Sequence, residues 1–421
     1  MKKFIVLLAA VLTVVLLVSC GNDTPDTPDV GGNENVAQTE GGENETPSGN
    51  EPKKLSKEEE EKYFKVVYFD IPEGDFRDII VDHMRKQSSI KWVCGADFSV
   101  SEKFENWGIS LDFKKGQTYY GIPYADTKVS YFQFENSLVN GTYSSDSNAW
   151  KEVYGVQCIS SIMNSIQQFD PSVAGTSTQM MPSLPSDFEA ELCGDYKVTP
   201  KLQRTADIIK ENGNDVIFEA YTHLRKGDII CTKDMKKSMS HFRVLVEDVT
   251  LYKNASGVIV PSRSYVKTIE QTNAFDSKRN DGVKTTWFVD HIYSFQDLIN
   301  SNYIPLTLAS YSKTRGEMEA PYIILDKEID TAILAKGAFS SSVKSNFPIR
   351  YVRLDILDKD GKIVKTEIKG DMSDTRAVPL RNHFSKLFDG VEAGDYTLVC
   401  SAGIAIDSVE LQRVDFTYNG K

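Results

Sequence analysis

CISSIMNSIQQF, residues 158–169, spaces its large apolar side chains by three or four positions, at Ile159, Ile162, Met163 and Ile166. This spacing predicts an amphipathic α-helix that begins at Cys158. One face of that helix is apolar and has to be covered by another element. The segments around the helix therefore decide the fold class.

Strand-like segments follow this helix. They are rich in β-branched and aromatic residues, and they lie at Gly227–Cys231, His241–Val249 and Tyr265–Thr272. Another helix is predicted before it, at Phe76–Trp92, where apolar residues recur near helical spacing. A helical part followed by a run of strands indicates an α+β fold.

From about Pro321 onward the sequence changes to short alternating strands. Tyr351–Leu357 and Lys362–Ile368 flank Asp360-Gly361, a dipeptide typical of hairpin turns. This pattern resembles an all-β immunoglobulin-like sandwich over residues 320–421, without the Cys-Trp-Cys hallmark of that fold. The resemblance implies that Cys400 is a core residue of the sandwich.

The N-terminus carries a targeting signal. Lys2 and Lys3 precede an apolar run that ends in Leu17-Val18-Ser19-Cys20. This ending is similar to the lipobox of bacterial lipoproteins. The resemblance implies a signal peptide over residues 1–19, diacylation of Cys20, and a membrane-lipid anchor in the bacterial cell envelope. The rest of the chain would face outside the cytoplasm.

An acidic linker is predicted over residues 20–64. Residues 21–54 contain eight acids, two lysines and no aromatic side chain, a composition that cannot offset the entropy of ordering. The whole chain has 421 residues and a net charge of −12. Without a basic surplus, a nucleic-acid partner is not expected.

Five cysteines follow Cys20, and they show no CxxC pair and no Cys-His spacing suited to zinc. Neither a disulfide framework nor a metal site is predicted, and no cofactor is implied. Cys158 differs from the other four because it starts a helix, where unpaired N–H groups and the helix dipole favour a thiolate.

A nucleophilic thiol needs a base and a group that orients the base. His241 begins an apolar predicted strand, and Glu270 and Gln271 lie on the next one. Either Glu270 or Gln271 is suited to orient the imidazole. Asn273 would lie on the face opposite Glu270 if the strand continued to alternate.

Four segments carry a family resemblance. They are similar, in their order along the chain, to motifs of the NlpC-type and CHAP-type cysteine amidases and peptidases. The segments are Gly121–Tyr124, Tyr154–Ser160, Ser240–Phe242 and Ile269–Gln271. The resemblance implies a papain-like domain over residues 65–310 with Cys158 as nucleophile, His241 as base and Tyr124 beside the nucleophile in a substrate-binding position.

The sequence departs from these families where Gln157 replaces the usual aspartate before the cysteine. The resemblance implies a cysteine hydrolase that cleaves amide bonds in cell-wall peptides, with peptidoglycan as the partner. The departure favours an alternative, a surface-binding lipoprotein without catalysis on the same scaffold. An amide hydrolase or acyltransferase acting on another substrate is a further alternative, because substrate choice depends on loops.

Overall fold

The computed structural model describes residues 50–104, 108–172, 190–199, 204–237, 239–370 and 375–420. This part of the chain is a mixed α+β structure with more strand than helix, so the predicted fold class is confirmed at that level. The predicted signal segment and Cys20 lie outside the described residues. Within the described ranges, no helix combines the length and apolar composition needed to cross a membrane.

Helices are numbered in chain order. They are α1 (Lys57–Glu60), α2 (Phe76–Ser89), α3 (Tyr131–Asn136), α4 (Cys158–Ile166), α5 (Thr205–Asn212), α6 (Asn214–Tyr221), α7 (Phe295–Asn300), α8 (Thr331–Leu334) and α9 (Leu380–His383). The prediction of a helix that begins at Cys158 is confirmed. The predicted helix at Phe76–Trp92 ends earlier, at Ser89, because the chain then enters a strand.

The largest sheet contains six antiparallel strands. In spatial order these are β11 (Trp287–Ser294), β10 (Tyr265–Gln271), β9 (Met239–Leu245), β8 (Ile229–Asp234), β12 (Ile304–Leu308) and β7 (Ala190–Leu192). The three strand-like segments predicted after α4 correspond to β8, β9 and β10, with ends shifted by a few residues. Adjacent placement of β9 and β10 brings the segments of His241 and Glu270 together.

Helix α4 packs against α2 and against strands β9 and β10. All nine of its residues are buried, so the polar face does not meet solvent as an amphipathic surface helix would. On that face, Ser165 Oγ lies 2.9 Å from the His83 ring, and Asn164 donates a hydrogen bond to the Val129 carbonyl. The sequence pattern predicts that these polar side chains face solvent. In the structure they are hydrogen-bonded to other protein groups.

Two small sheets extend this first core. One contains β5 (Thr118–Tyr120), β2 (Lys91–Cys94) and β6 (Thr142–Tyr143), and the other contains β3 (Phe98–Lys103) and β4 (Gly108–Phe113). Trp92 is almost completely buried and contacts several aromatic rings of these sheets, Tyr119 among them at a centroid distance of 5.0 Å.

A second core lies between two four-stranded antiparallel sheets. In spatial order, one sheet is β1 (Lys65–Tyr68), β13 (Tyr322–Leu325), β14 (Ser342–Ser345) and β17 (Ala377–Pro379). The other is β16 (Ile363–Gly370), β15 (Tyr351–Leu357), β18 (Gly394–Gly403) and β19 (Ser408–Tyr418). The Asp360-Gly361 turn joins β15 to β16 as predicted, and Cys400 is fully buried in this core.

Order begins earlier in the chain than the sequence predicts. Within the predicted linker, the Lys53 backbone donates a hydrogen bond to Met318 O and accepts one from Ala320 N, at 2.8 and 2.9 Å. Strand β1 then pairs with β13, more than 250 residues away, and Phe69 packs against the second core. The chain therefore contributes to the second core before it enters the first.

The end of α4 and the residues after it contact the second core. The Arg350 guanidinium donates a hydrogen bond to Asn164 Oδ1, and Gln168 Nε2 donates one to the Ala405 carbonyl at 3.0 Å. Arg376 likewise donates to the Pro171 carbonyl at 2.6 Å. The helix that begins at Cys158 is thus held at its far end by side chains of the second core.

Candidate active site

The segment before α4 is aligned with an earlier segment of the chain. Val156 N donates a hydrogen bond to Pro123 O at 2.9 Å, and Ala125 N donates to Val156 O at 3.3 Å. Gly155 sits in this contact, where an added Cβ would lie 2.5 Å from both the Ala125 Cβ and the Pro123 oxygen. Only glycine allows so close an approach. Two of the motifs that carry the family resemblance are therefore neighbours.

Cys158 occupies the first position of α4, so its backbone N–H has no acceptor within the helix. The preceding residue, Gln157, is at the N-cap position and makes no side-chain cap bond to the helix. Its N–H donates to Ser160 Oγ at 2.8 Å, and its side-chain amide donates to Asp126. The amide at the position where the resembling families have an aspartate thus has a carboxylate partner.

His241 lies near the start of β9, beside Cys158. The thiol lies close enough to the imidazole to raise the pKa of the ring, and its own hydrogen bond is to the Ser240 carbonyl at 4.0 Å. Nε2 of the ring is paired with Oε2 of Glu270. Because Nε2 is engaged by the carboxylate, Nδ1 is the nitrogen left to the thiol. Cys158, His241 and Glu270 lie next to one another, in the order that a thiol nucleophile, its base and an orienting carboxylate require.

Glu270 is 2% exposed and has three partners. In addition to His241, Arg243 Nε donates to Oε2 at 2.9 Å and the Tyr293 hydroxyl donates to Oε1 at 2.6 Å. Burial opposes ionisation of the carboxyl. The hydrogen bond and charge of His241, the charge of Arg243 and the hydrogen bond of Tyr293 outweigh it and lower the pKa of Glu270 to about 2.

The pKa of His241 is shifted in the opposite direction. Burial of the ring disfavours its protonated form, but the hydrogen bonds to Cys158 and Glu270 and the charge of Glu270 raise the pKa to about 9. The imidazole is therefore protonated at neutral pH. The His241 side chain is 24% exposed, so a molecule in the adjacent cleft can reach the ring.

Arg243 is fixed by two aromatic rings as well as by Glu270. Its guanidinium carbon lies 3.8 Å from the Tyr293 ring centroid and 4.3 Å from that of Tyr303. Stacking of this kind stabilises a planar cation in a partly buried place. The two rings thus fix the orientation of the Arg243 guanidinium, which in turn holds the Glu270 carboxylate in place beside His241.

The structure distinguishes between the two candidates for the orienting role. Glu270 contacts His241, whereas Gln271 is completely buried on the other face of β10 and donates to Ile122 O at 2.7 Å. Successive strand residues point to opposite faces, so both cannot contact the imidazole. Gln271 anchors the Ile122 segment, and Asn273 lies farther along the wall of the cleft.

Tyr124 lies close to Cys158 and is 6% exposed. Burial, followed by the charges of Cys158 and Asp126, raises the pKa of its hydroxyl well above the ordinary value. The neutral hydroxyl is a hydrogen-bond donor at the edge of the cleft. Its predicted place beside the cysteine agrees with this geometry.

An open cleft of about 670 Å³ lies next to these residues. Tyr124, His241, Arg243 and Glu270 line it, together with residues of β8 and the start of α5. Cys158 is only 5% exposed and lies behind this wall. A cleft of this volume can hold a small ligand such as a short peptide.

The other four described cysteines are buried free thiols. Burial raises the pKa of Cys193, Cys231 and Cys400 to about 12 and also raises that of Cys94, so these thiols are not nucleophiles at neutral pH. In the described ranges, no group of three or more His, Cys, Asp or Glu side chains is placed to hold a metal ion.

No family model, curated protein or solved structure matches the chain. The function of the chain is therefore inferred from the geometry of the site. Sequence reasoning missed Arg243, Tyr293 and Tyr303. Arg243 had a usable signal, because it lies two residues after His241 and shares its face of the strand. The tyrosines come from distant segments and had none.

Proposed function

We propose that this chain is a cysteine hydrolase of the papain-like type that cleaves amide bonds, with cell-wall peptides as its substrates. The observation that carries the proposal is the placement of Cys158 beside His241, whose ring is paired with Glu270, at the wall of an open cleft. A buried cysteine of purely structural function needs neither a histidine partner nor a carboxylate behind it.

The geometry supports the following chemistry. The proton of the Cys158 thiol passes to His241, and the sulfur attacks the amide carbon and forms a C–S bond. The carbonyl oxygen becomes an oxyanion within reach of the Cys158 backbone N–H. The protonated His241 gives its proton to the amine as the C–N bond breaks, which leaves a thioester. Water, deprotonated by His241, then hydrolyses the thioester, so the acid is released and the thiol restored.

Glu270 holds the imidazole in the orientation that this proton transfer needs. The negative charge of Glu270 also stabilises the imidazolium form, in agreement with the raised pKa of His241. Arg243 and Tyr293 keep the carboxylate ionised and in place. Tyr124 supplies a neutral hydroxyl donor to a bound substrate.

We assign the site to the outside of a bacterial membrane on the strength of Leu17–Cys20 and the acidic residues that follow. Two acyl chains on Cys20 would give stable anchoring. The second core, with its two packed sheets, is proposed to be an immunoglobulin-like sandwich.

The second candidate is a binding protein without turnover. The observation that favours it is the burial of Cys158, whose 5% exposure leaves the sulfur behind the cleft wall. In that case the cleft would hold a ligand and the thiol would not react.

Hydrolysis of purified peptidoglycan and its soluble peptides, followed by mass spectrometry of the products, tests the first candidate. We expect new amine and carboxylate ends with the wild-type protein and none with Cys158→Ala, while Cys400→Ala, which removes a thiol of the second core, keeps the activity. Equal inactivity of wild type and Cys158→Ala on a broad peptide panel would leave the binding function as the better account.

A further inference from the structure

Strand β16 is an open edge of the second core. Its sheet has the order β16, β15, β18 and β19, so among the described residues β16 has a neighbouring strand on one side only. The opposite edge strand, β19, is contacted by helix α8, and the edge strands of the other sheet have only four and three residues. With eight residues, β16 presents a long row of backbone N–H and C=O groups that can pair with another strand.

Large apolar side chains are exposed along this edge. Ile363, Val364 and Ile368 are between 41% and 46% exposed. The register with β15 shifts beside the first two, so that Val364 has no partner on β15 and both side chains reach solvent. Exposure of apolar groups to water costs free energy, which a covering surface would recover.

The segment Val364–Ile368, whose sequence is VKTEI, is complementary to itself. Antiparallel pairing of this segment with a second copy brings together residues that pack or attract each other. The opposed pairs are Thr366 with Thr366, Lys365 with Glu367, and Val364 with Ile368. Directly opposed residues of an antiparallel pair share a face, so the apolar pairs lie on the exposed face and the ion pairs on the other. Because the arrangement is symmetric, each apolar pair and each ion pair occurs twice.

The charges of β16 favour this register over its neighbours. Pairing centred on Glu367 would oppose Glu367 with itself and Lys365 with Lys369, and pairing centred on Lys365 would oppose two lysines. A shift by one residue would turn the exposed face of one copy toward the buried side of the other. Charged side chains on an edge strand usually prevent pairing, but here their alternating sign permits one register.

Glu367 is also incompletely satisfied within its own chain. Its Oε1 is paired with Lys369 Nζ at 2.7 Å, whereas Oε2 is buried and has no hydrogen-bond partner among the described residues. Its place in the ladder, opposite the buried Leu354, keeps the carboxylate on the inner face of the sheet. Lys365 of a second copy would lie opposite Glu367 and would compensate this charge.

We propose that β16 pairs with β16 of a second copy of this chain, about a two-fold axis at Thr366, and joins two four-stranded sheets into one sheet of eight strands. The interface is short, so the dimer is weak and reversible, at the low end of the size range of protein interfaces. It contains no residue of the cleft, so it goes beyond the proposed hydrolase function and can fail without affecting it.

Charge reversal tests the pairing, with the dimer Kd of the full chain in detergent measured by analytical ultracentrifugation. Lys365→Glu opposes two carboxylates at each ion pair, and Glu367→Lys opposes two ammonium groups. Each variant alone should raise the dimer Kd by at least about tenfold. An equimolar mixture of the two variants restores opposite charges across the interface, so it should form mixed dimers with a Kd near that of wild type. Lys362→Glu is the matched control: it makes the same change of charge at an exposed residue just before β16 and should keep the wild-type Kd.

A disulfide tests the register and does not depend on the charge variants. Opposed Cα atoms in an antiparallel pair are about 4.5–5.5 Å apart, within the range that a disulfide spans. Thr366→Cys should therefore form a covalent dimer on oxidation by air with a copper catalyst. Thr417→Cys is the matched control, because Thr417 is exposed on β19 at the other edge of the same sheet. Like Thr366, it donates a hydrogen bond to an aspartate on the neighbouring strand, at 2.7 Å compared with 2.6 Å.

Three results would overturn the proposed dimer and leave the hydrolase proposal standing. One is a wild-type chain that stays monomeric at the highest concentration reached. Another is a dimer Kd that is the same in wild type, in both charge variants and in their mixture. The third is equal cross-linking of Thr366→Cys and Thr417→Cys, which would show that the covalent dimers arise from random collision.

Discussion

The Glu270 carboxylate and the His241 imidazole are paired through Oε2 and Nε2, and this pairing leaves the other ring nitrogen to the Cys158 thiol. Arg243 and Tyr293 hold the same carboxylate from its other sides. The relationship explains why the pKa of Glu270 is lowered to about 2 while that of His241 is raised to about 9.

Glu270→Gln should lower the hydrolysis rate by about 10²- to 10⁴-fold, the range that a positioned acid–base group contributes. Loss of the negative charge also lowers the pKa of His241, so the alkaline limit of the remaining activity should move down by about one unit or more. The pH profile of kcat/KM measures both effects.

Gln271→Ala is the matched control: it removes the bond to Ile122 and should reduce thermal stability while the alkaline limit stays in place. If the limit moved in Gln271→Ala and not in Glu270→Gln, the assignment of the orienting residue would be reversed.

The stability of the fold should depend on pH through His241. A folded-state pKa of about 9, raised above the usual 6.5, stabilises the protein fully below pH 6.5, and this contribution is lost as the pH rises through 9. Comparison of wild type with His241→Gln by thermal unfolding from pH 6 to 10 should therefore show a gap in Tm that narrows with rising pH. A gap that is constant or widens over this range would show that the imidazole is not held in its protonated form.

Arg243→Lys should lower the free energy of unfolding by about 1–2 kcal/mol, because an ammonium cannot stack flat between Tyr293 and Tyr303. The hydrolysis rate should fall as well, since Glu270 loses a fixed partner. Arg353→Lys removes the guanidinium of an arginine on β15 that pairs with Asp355 at a partly exposed position. It should change stability by less than about 0.5 kcal/mol. Urea denaturation compares the two variants, and equal effects would show that the tyrosine stacking contributes nothing.

Asn164→Ala and Arg350→Met should each lower the free energy of unfolding by about 1.5–3 kcal/mol, the usual contribution of a buried hydrogen bond to a charged group. Because these residues are partners across the junction of the two cores, the double variant should be less destabilised than the sum of the singles by about 1 kcal/mol. A double-mutant cycle by urea denaturation measures this coupling. Strict additivity would mean that α4 is not held at its far end by this contact.

Elements with a local signal could be predicted from the sequence. The helix that begins at Cys158 follows from apolar spacing over a few turns, and the hairpin at Asp360-Gly361 follows from its turn residues. The meeting of Cys158 with His241 follows from a resemblance in motif order. It could not be derived from spacing alone, because the two residues are separated by several elements.

Other features depend on contacts between distant segments and leave no local pattern. Strand β1 pairs with β13, and the segments that form the first core lie between these two strands in the sequence. Nothing near Lys65–Tyr68 in the sequence indicates that partner. The polar face of α4 looks solvent-exposed in the sequence and is covered by side chains such as His83 and Arg350. The choice of Glu270 over Gln271 depends on which of the two side chains faces His241. A strand pattern in the sequence does not fix this, because a register shift by one residue moves every side chain to the other face of the sheet.

The rate of Cys158 alkylation by iodoacetamide at pH 6 tests the central claim most directly. His241 is the base of the proposed pair and lies next to the sulfur, so wild-type Cys158 should react at this pH at least about tenfold faster than a cysteine in the unfolded chain. His241→Ala should remove most of this advantage. Equal, slow rates in wild type, His241→Ala and the unfolded chain would contradict the account, because they would show that the thiol is not activated by its histidine.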